Sequence, residues 1–185
     1  MFLTLSKLFG DSNTMGKLLH VAPEACLQPW FKGQSTTYHT SDLFRDDVDF
    51  NEDLQRLSFP AQSYDSVIIS RVLTIPEKLE ACLDEASRIL KPGGMACIAE
   101  TFTHAATLEF HPMKNGRSRE IGLDFLQLLE RHFDQVDLYD SDQFDPTYQL
   151  INRMEKEGIT RDNYPERVRA PGMGFKEIVA ICRKK

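Results

Sequence analysis

Residues 57–100 constrain the fold more than any other stretch, because they read as a strand, a helix and a second strand with a turn at each joint. The segment Ser63-Tyr64-Asp65-Ser66-Val67-Ile68-Ile69-Ser70 carries the short, β-branched apolar run of a strand covered on both faces. Over residues 77–90 the apolar side chains Leu79, Cys82, Leu83, Ala86, Ile89 and Leu90 recur at helical spacing, with Glu80, Asp84, Glu85 and Arg88 on the other side. That pattern predicts an amphipathic helix, and Pro76 suits its start. Lys91-Pro92-Gly93-Gly94 then ends it, since Pro92 cannot continue a helix and the glycine pair permits a positive-φ turn into a strand over residues 95–100. The unit is β-α-β, with a parallel pair and a right-handed crossover.

The rest of the chain continues the alternation that marks a doubly wound sheet. Residues 17–22 read as strand one, followed by a helix over residues 23–31 with Pro23 in its first turn. Strand two is expected over residues 36–40 and a short strand three over residues 48–50. Ile121, Phe125, Leu128, Leu129 and Phe133 predict a helix over residues 118–133, and strands six and seven fall at residues 136–139 and 177–182. Arg183-Lys184-Lys185 reads as a solvated tail. With 185 residues and 41% hydrophobic content, the expectation is one α/β domain over residues 1–185. Two segments stand outside the scaffold. Residues 1–16 hold Phe2, Leu3, Leu5, Leu8 and Phe9, enough for a short amphipathic N-terminal cap. Residues 142–174 form a long insertion before the last strand, in which Tyr148, Leu150, Ile151 and Met154 suggest a helix and Pro165, Pro171 and Gly172 a loop. It reads either as a lid over a substrate or as a surface segment packed on the sheet edge.

Composition excludes several classes. A formal net charge of -6 argues against an extended nucleic-acid footprint, whose affinity rests on neutralising phosphates. No apolar run reaches the length of a membrane span, and the first residues lack a basic region followed by a signal-peptide core, so a cytoplasmic location is expected. Cys26, Cys82, Cys97 and Cys182 lie far apart in apolar contexts and read as small core residues, leaving no metal site to predict.

Leu57-Ser58-Phe59-Pro60-Ala61-Gln62-Ser63-Tyr64-Asp65, then Val72-Leu73, then Ala86-Ser87-Arg88-Ile89-Leu90-Lys91-Pro92-Gly93-Gly94 stand in order and in consistent structural contexts. Together they resemble the class I S-adenosylmethionine-dependent methyltransferases of the small-molecule type. The resemblance implies a Rossmann-like three-layer sandwich of seven strands, the last antiparallel, in the order three, two, one, four, five, seven, six. Periodicity alone does not give that order. The resemblance also implies S-adenosyl-L-methionine as cofactor and a small-molecule or protein-borne nucleophile as acceptor; homo-oligomerisation is left open.

In open α/β sheets ligands bind beyond the carboxyl ends of the strands where the strand order reverses, here between strands one and four. The family's loop after strand one is rich in glycine, yet this chain reads His20-Val21-Ala22-Pro23-Glu24-Ala25-Cys26. His20 falls where an acid is expected, and Ala22, Glu24 and Cys26 fall at the glycine positions. A similar HxAPE run occurs in a subset of methyltransferase-like proteins. Pro23 is expected to open a helix whose free amides could hold a carboxylate, while Glu24 would either cap that helix or pair with the cofactor's ammonium. By resemblance Asp42 accepts from the ribose hydroxyls or forms a turn, Asp53 and Leu54 flank the adenine, and Ser70 and Arg71 end strand four beneath the sulfonium. Arg71 beside a cation requires an anionic substrate or an acid such as Glu24 or Glu100 to screen it.

Methyl transfer asks little of the protein beyond alignment and exclusion of water. Candidates for a general base are His104, Glu109 and His111, after strand five. Val72-Leu73-Thr74-Ile75 lacks the acid-histidine pair that many relatives carry there. Three classes follow: a methyltransferase, a catalytically inactive methyltransferase-like scaffold or cofactor-binding protein, and a nucleotide-dependent oxidoreductase. The last is the weakest, since no G-x-G-x-x-G turn follows strand one.

Overall fold

A computed structural model describes residues 1–10, 15–148, 151–153, 163–170 and 174–185. The apolar run read as strand four forms β4 (Tyr64–Ser70), flanked by parallel β1 (Lys17–Val21) and β5 (Leu90–Glu100). On one side β1 pairs in parallel with β2 (Thr37–Asp42), and β2 with β3 (Phe50–Asn51). After β5 come β6 (Leu108–Lys114), β7 (Arg117–Glu120), β8 (Gln135–Asp140) and β9 (Ile151–Arg153). After them come β10 (Gly174–Lys176) and β11 (Ile178–Arg183). β11 runs antiparallel between β5 and β8, so the seven-stranded sheet has the order β3-β2-β1-β4-β5-β11-β8. This is the order that the resemblance implied.

Strand alternation sends successive side chains to opposite faces, and each face carries its own helices. Val67, Ile69, Ala96, Ile98 and Ala180 point to the side covered by α3 (Leu79–Ile89) and α4 (Phe125–His132). Leu18, Ile68, Met95, Cys97 and Ile181 point to the other, which is covered by α1 (Phe2–Phe9) and α2 (Gln28–Gly33). The product is a three-layer sandwich. In α1, Leu5 is buried against this second face and Phe2 packs edge-on to Trp30 with ring centroids 5.1 Å apart.

Five local expectations need correction. The helix expected over residues 23–31 starts only at Gln28. Pro29 explains the delay: inside a helix begun at Pro23 it would lack the N–H for its hydrogen bond and crowd the carbonyl one turn back, whereas in the first turn of α2 it costs nothing. The helix expected over residues 118–133 is confined to α4, because the residues before it enter the antiparallel β6–β7 hairpin. Asn115 and Gly116, with φ of 52° and 73°, make its turn. Within residues 142–174, Ile151 belongs to β9, paired antiparallel with β10, and not to a helix. Leu150 and Met154 lie outside the described residues. Cys26 is exposed, unlike the buried Cys82, Cys97 and Cys182.

The fifth correction concerns the supposed solvated tail. Lys184 Nζ donates to the carbonyls of Ser87 at 2.7 Å and Leu90 at 3.0 Å, supplying donors that the last turn of α3 lacks. Its main chain also clasps the glycine turn, with Gly93 N donating to Lys184 O and Lys184 N to Gly94 O. There is little room to spare, since a Cβ on Gly94 would lie 2.9 Å from Lys91 O and 3.0 Å from Asp65 O. Lys184→Ala is therefore expected to lower stability by about 1 kcal/mol, as the helix end loses its cationic cap. Urea denaturation checks this, and an unchanged midpoint would mean that water replaces the ammonium without cost.

Candidate functional site

The order of the sheet reverses at β1, whose two parallel neighbours are β2 and β4, and the crevice opens at the carboxyl ends of these strands. Immediately after β1, Ala22 takes a positive φ of 49° and donates its N–H to Ser41 O at 2.7 Å, extending the β1–β2 ladder by one bond. An L-residue in this region costs about 1–2 kcal/mol relative to glycine. A position where the resemblance expects glycine thus keeps a glycine-like backbone while carrying a methyl group. Leu27 N then bonds back to Glu24 O, so Pro23 and Glu24 stay in a turn outside α2. The expectation that Pro23 opens a helix with free amides beside Glu24 is accordingly wrong, and Glu24 does not cap that helix.

Glu24 is instead held from below. Its Oε2 lies 2.8 Å from Nε2 of the fully buried His20, whose Nδ1 is 2.9 Å from the Tyr38 hydroxyl. An ionised carboxylate only accepts, so Nε2 carries the proton and the imidazole is fixed between Glu24 and Tyr38. Burial alone would raise the Glu24 carboxyl, but hydrogen bonds from His20 and Ser70 outweigh it and hold the group below its ordinary value. The residue at the expected acid position therefore acts through its neighbour: His20 fixes the direction of the Glu24 carboxylate. Val21 is buried in the core on the α3–α4 side of the sheet.

Glu24, Leu27, Ser70, Arg71, Ala99 and Glu100 line a cavity of about 300 Å³, with Met1 and Phe2 of the α1 end and Glu177 at its rim. Arg71 follows β4 with a positive φ of 55°, gives its N–H to Ala99 O at 2.8 Å, and pairs its guanidinium with Glu177. Of the acids weighed as its partner, neither Glu24 nor Glu100 takes it. Glu100, only 4% exposed, closes the floor and accepts from Leu73 N at 2.9 Å. Desolvation lifts its carboxyl to about 7, although the amides of Leu73 and Val72 and the charges of Arg71 and Arg117 pull the other way. Glu100 was not among the site residues read from sequence. The available signal was a charged residue ending an otherwise apolar strand at the carboxyl edge of the sheet.

The remaining candidates are placed as follows. Asp42 ends β2, and its Oδ1 accepts from the amides of Phe44 at 2.8 Å and Arg45 at 3.1 Å, the turn-forming arrangement. Asp53 is not reserved for a ligand: its Oδ1 accepts from the main-chain N of Gln55 at 2.9 Å and from that residue's side chain at 3.1 Å. Leu54 is buried in the α3–α4 core. His104 sits 2.7 Å from Glu120 at the foot of the hairpin. Glu109 accepts from the buried Arg119 at 2.8 Å and, with His111, borders a separate groove of about 960 Å³ between the hairpin, α3 and α4. None of these last three lines the cavity at the strand ends. No group of three or more His, Cys, Asp or Glu is placed to hold a metal ion among the described residues. Nor is any helix among them long and apolar enough to cross a membrane.

A family model described as a methyltransferase domain matches residues 32–98. The resemblance read from residues 57–94 is borne out by this match. No curated protein matches the chain. Among solved structures, a SAM-dependent methyltransferase from Archaeoglobus fulgidus superposes with a TM-score of 0.62 at 14% identity, covering 98% of this chain and 92% of the other. The 1,6-didemethyltoxoflavin-N1-methyltransferase of Burkholderia thailandensis, solved with 1,6-didemethyltoxoflavin and S-adenosylhomocysteine, gives 0.59 at 11% identity over 99% of this chain and 76% of the other. At these identities the likeness is one of fold.

Proposed function

We propose that this chain, built on the class I methyltransferase fold, binds S-adenosyl-L-methionine at the carboxyl ends of β1 and β4 and directs its methyl group to a small-molecule or protein-borne nucleophile. The observation that carries the reading is the Glu24 carboxylate, ionised and aimed by His20 and Ser70 into the cavity at the switch in strand order. An anion fixed there suits the ammonium of the amino-acid moiety. When bound, the cofactor supplies an already activated methyl on a sulfonium. The chain's own residues bind, orient and exclude water. Asp42, with one carboxylate oxygen committed to its turn, offers the other to a ribose hydroxyl. Asp53 and the neighbouring Leu54 stand on the adenine side. Val21 and Ala22 present the backbone, and Ser70 and Arg71 border the methyl.

His104, Glu109 and His111 belong to the acceptor side in this reading, with Glu109 and His111 facing the larger groove. The described part of the insertion before the last strand is read as substrate cover, with Tyr164, Val168 and, in the adjoining β10, Phe175 anchored in the core. A chain with this composition and net charge of -6 is read as a cytoplasmic protein acting without extended nucleic-acid contacts.

Titration calorimetry of S-adenosylmethionine, with NAD as control, tests the reading. Binding to the wild type is expected, and Glu24→Gln should weaken it by on the order of 1.5–3 kcal/mol, or about ten- to a hundredfold, as a charge-assisted hydrogen bond becomes a neutral one. The second reading, a catalytically inactive scaffold, is favoured by a specific feature: Pro23 has no N–H, and α2 begins too late to present amides to the cofactor's carboxylate. No binding by wild type, Glu24→Gln or Glu24→Gly would support that alternative. Tighter binding by Glu24→Gly alone would mark Glu24 as an obstruction.

A further inference from the structure

The cavity at the strand ends is acidic. Glu24, Glu100 and Glu177 line it against one cationic side chain, Arg71, whose guanidinium is 60% exposed and turned to Glu177. Glu100 alone among the acids is buried, at the end of β5, beside Ser70 of β4 and the following Arg71. Its contacts are the amides of Val72 and Leu73, which occupy part of the capacity of a carboxylate able to accept about four hydrogen bonds. From the elements around it, the charges that act on it are Arg71 just after β4 and Arg117 on β7, while Glu24 after β1, Glu177 before β11 and Met1, which carries the amino group, share its cavity. No cation is in contact with it among the described residues. A carboxylate in this position is costly to ionise until a positive centre enters.

Resting on the cofactor reading above, we infer that Glu100 is the counter-charge for the cationic centre of the bound ligand, so that the cavity distinguishes the sulfonium cofactor from the neutral thioether left after methyl transfer. The direction of the pH effect follows. Burial holds the carboxyl at about 7, so below that pH it is protonated and offers no charge to the sulfonium; affinity for the cation rises as pH rises through this range. The thioether gains nothing from the ionised form. Loss of the positive charge would therefore return a proton to Glu100 and loosen the spent cofactor, making product release part of the same electrostatic cycle.

The test is calorimetric titration of the full chain with S-adenosylmethionine and with S-adenosylhomocysteine at pH 6 and pH 8. Both ligands carry the same amino and carboxyl groups, so the comparison between them centres on the sulfonium. Affinity for S-adenosylmethionine relative to S-adenosylhomocysteine is expected to improve about tenfold between the two pH values, the single-proton linkage of a group titrating near their midpoint. Glu100→Gln keeps an oxygen to accept from Leu73 N and should make the ratio of the two affinities independent of pH. A purely structural Glu100 would leave that ratio unmoved. The inference is overturned if the two ligands shift together in the wild type, or if the difference persists in Glu100→Gln. Failure of both ligands to bind the wild type would overturn the cofactor reading itself, and this inference with it.

Discussion

Arg119→Ala is expected to lose on the order of 3 kcal/mol of stability, a fall in melting temperature of roughly 6–12 °C for a chain of this size. The side chain is 1% exposed, yet four of the five N–H donors of its guanidinium are in use. It donates to the carbonyls of Leu73 at 2.9 Å, of Glu77 at 2.8 Å and of Pro76 at 2.5 Å, and to the Glu109 carboxylate at 2.8 Å. Removing it leaves several carbonyl oxygens of one loop without donors, which costs more than the net value of the bonds themselves. Arg119→Lys should recover only part of the loss, since one ammonium cannot reproduce the planar fork. Thermal and urea unfolding of both variants measure this. Midpoints equal to the wild type would mean that the loop is held by the main-chain bonds from Ser118 and Arg119 to Thr74 O alone.

A second large effect is expected at Gly122. A Cβ there would lie 2.2 Å from the carbonyl carbon of Ala106 and 2.5 Å from Thr107 N, so backbone and not a flexible side chain must move. Gly122 N also donates to Thr107 Oγ1 at 3.1 Å, and Leu123 N to His104 O at 2.9 Å, so the clash falls where the hairpin is fastened to the domain. Gly122→Ala should cost about 2–3 kcal/mol, in the range for overpacking a closed site. Gly33→Ala is the control, because nothing lies within 4 Å of a Cβ at Gly33 and alanine suits a helix better, by about 1 kcal/mol. A loss of stability confined to Gly122→Ala bears this out; equal responses would count against it.

Where sequence and structure agree, the determining interactions are local. The β4–α3–β5 unit was legible because burial on both faces, helical spacing and the Pro92-Gly93-Gly94 turn all lie within a short stretch. Its neighbour order was not, and came from the resemblance alone. Two missed features had local signals that a stronger pattern masked. Pro29 ruled out a helix starting at Pro23, and Asn115-Gly116 announced a hairpin inside a segment whose apolar spacing looked helical. The site divides in the same way. Glu24 was identified from its position, but its fixation by His20 and Ser70 depends on β1 and β4 lying side by side. Glu100 and Arg119 became prominent only through burial, which is decided by elements distant in the chain. A charged residue in a sequence carries no mark of whether the fold will leave it in water.

The clasp at Lys184 bears on the order in which the molecule can assemble. The strand-helix-strand unit contains its own apolar faces and its own turn, yet the donors that finish α3 come from a residue 97 positions beyond Ser87. Closing a contact of that span costs more chain entropy than any bond within the unit, so it follows the local elements in time. A ribosome-bound chain that has emerged only through β5 therefore holds a helix with a frayed end and a glycine turn without its cross-bonds. Both become fixed when β11 enters between β5 and β8, and the same step fills the last gap in the sheet.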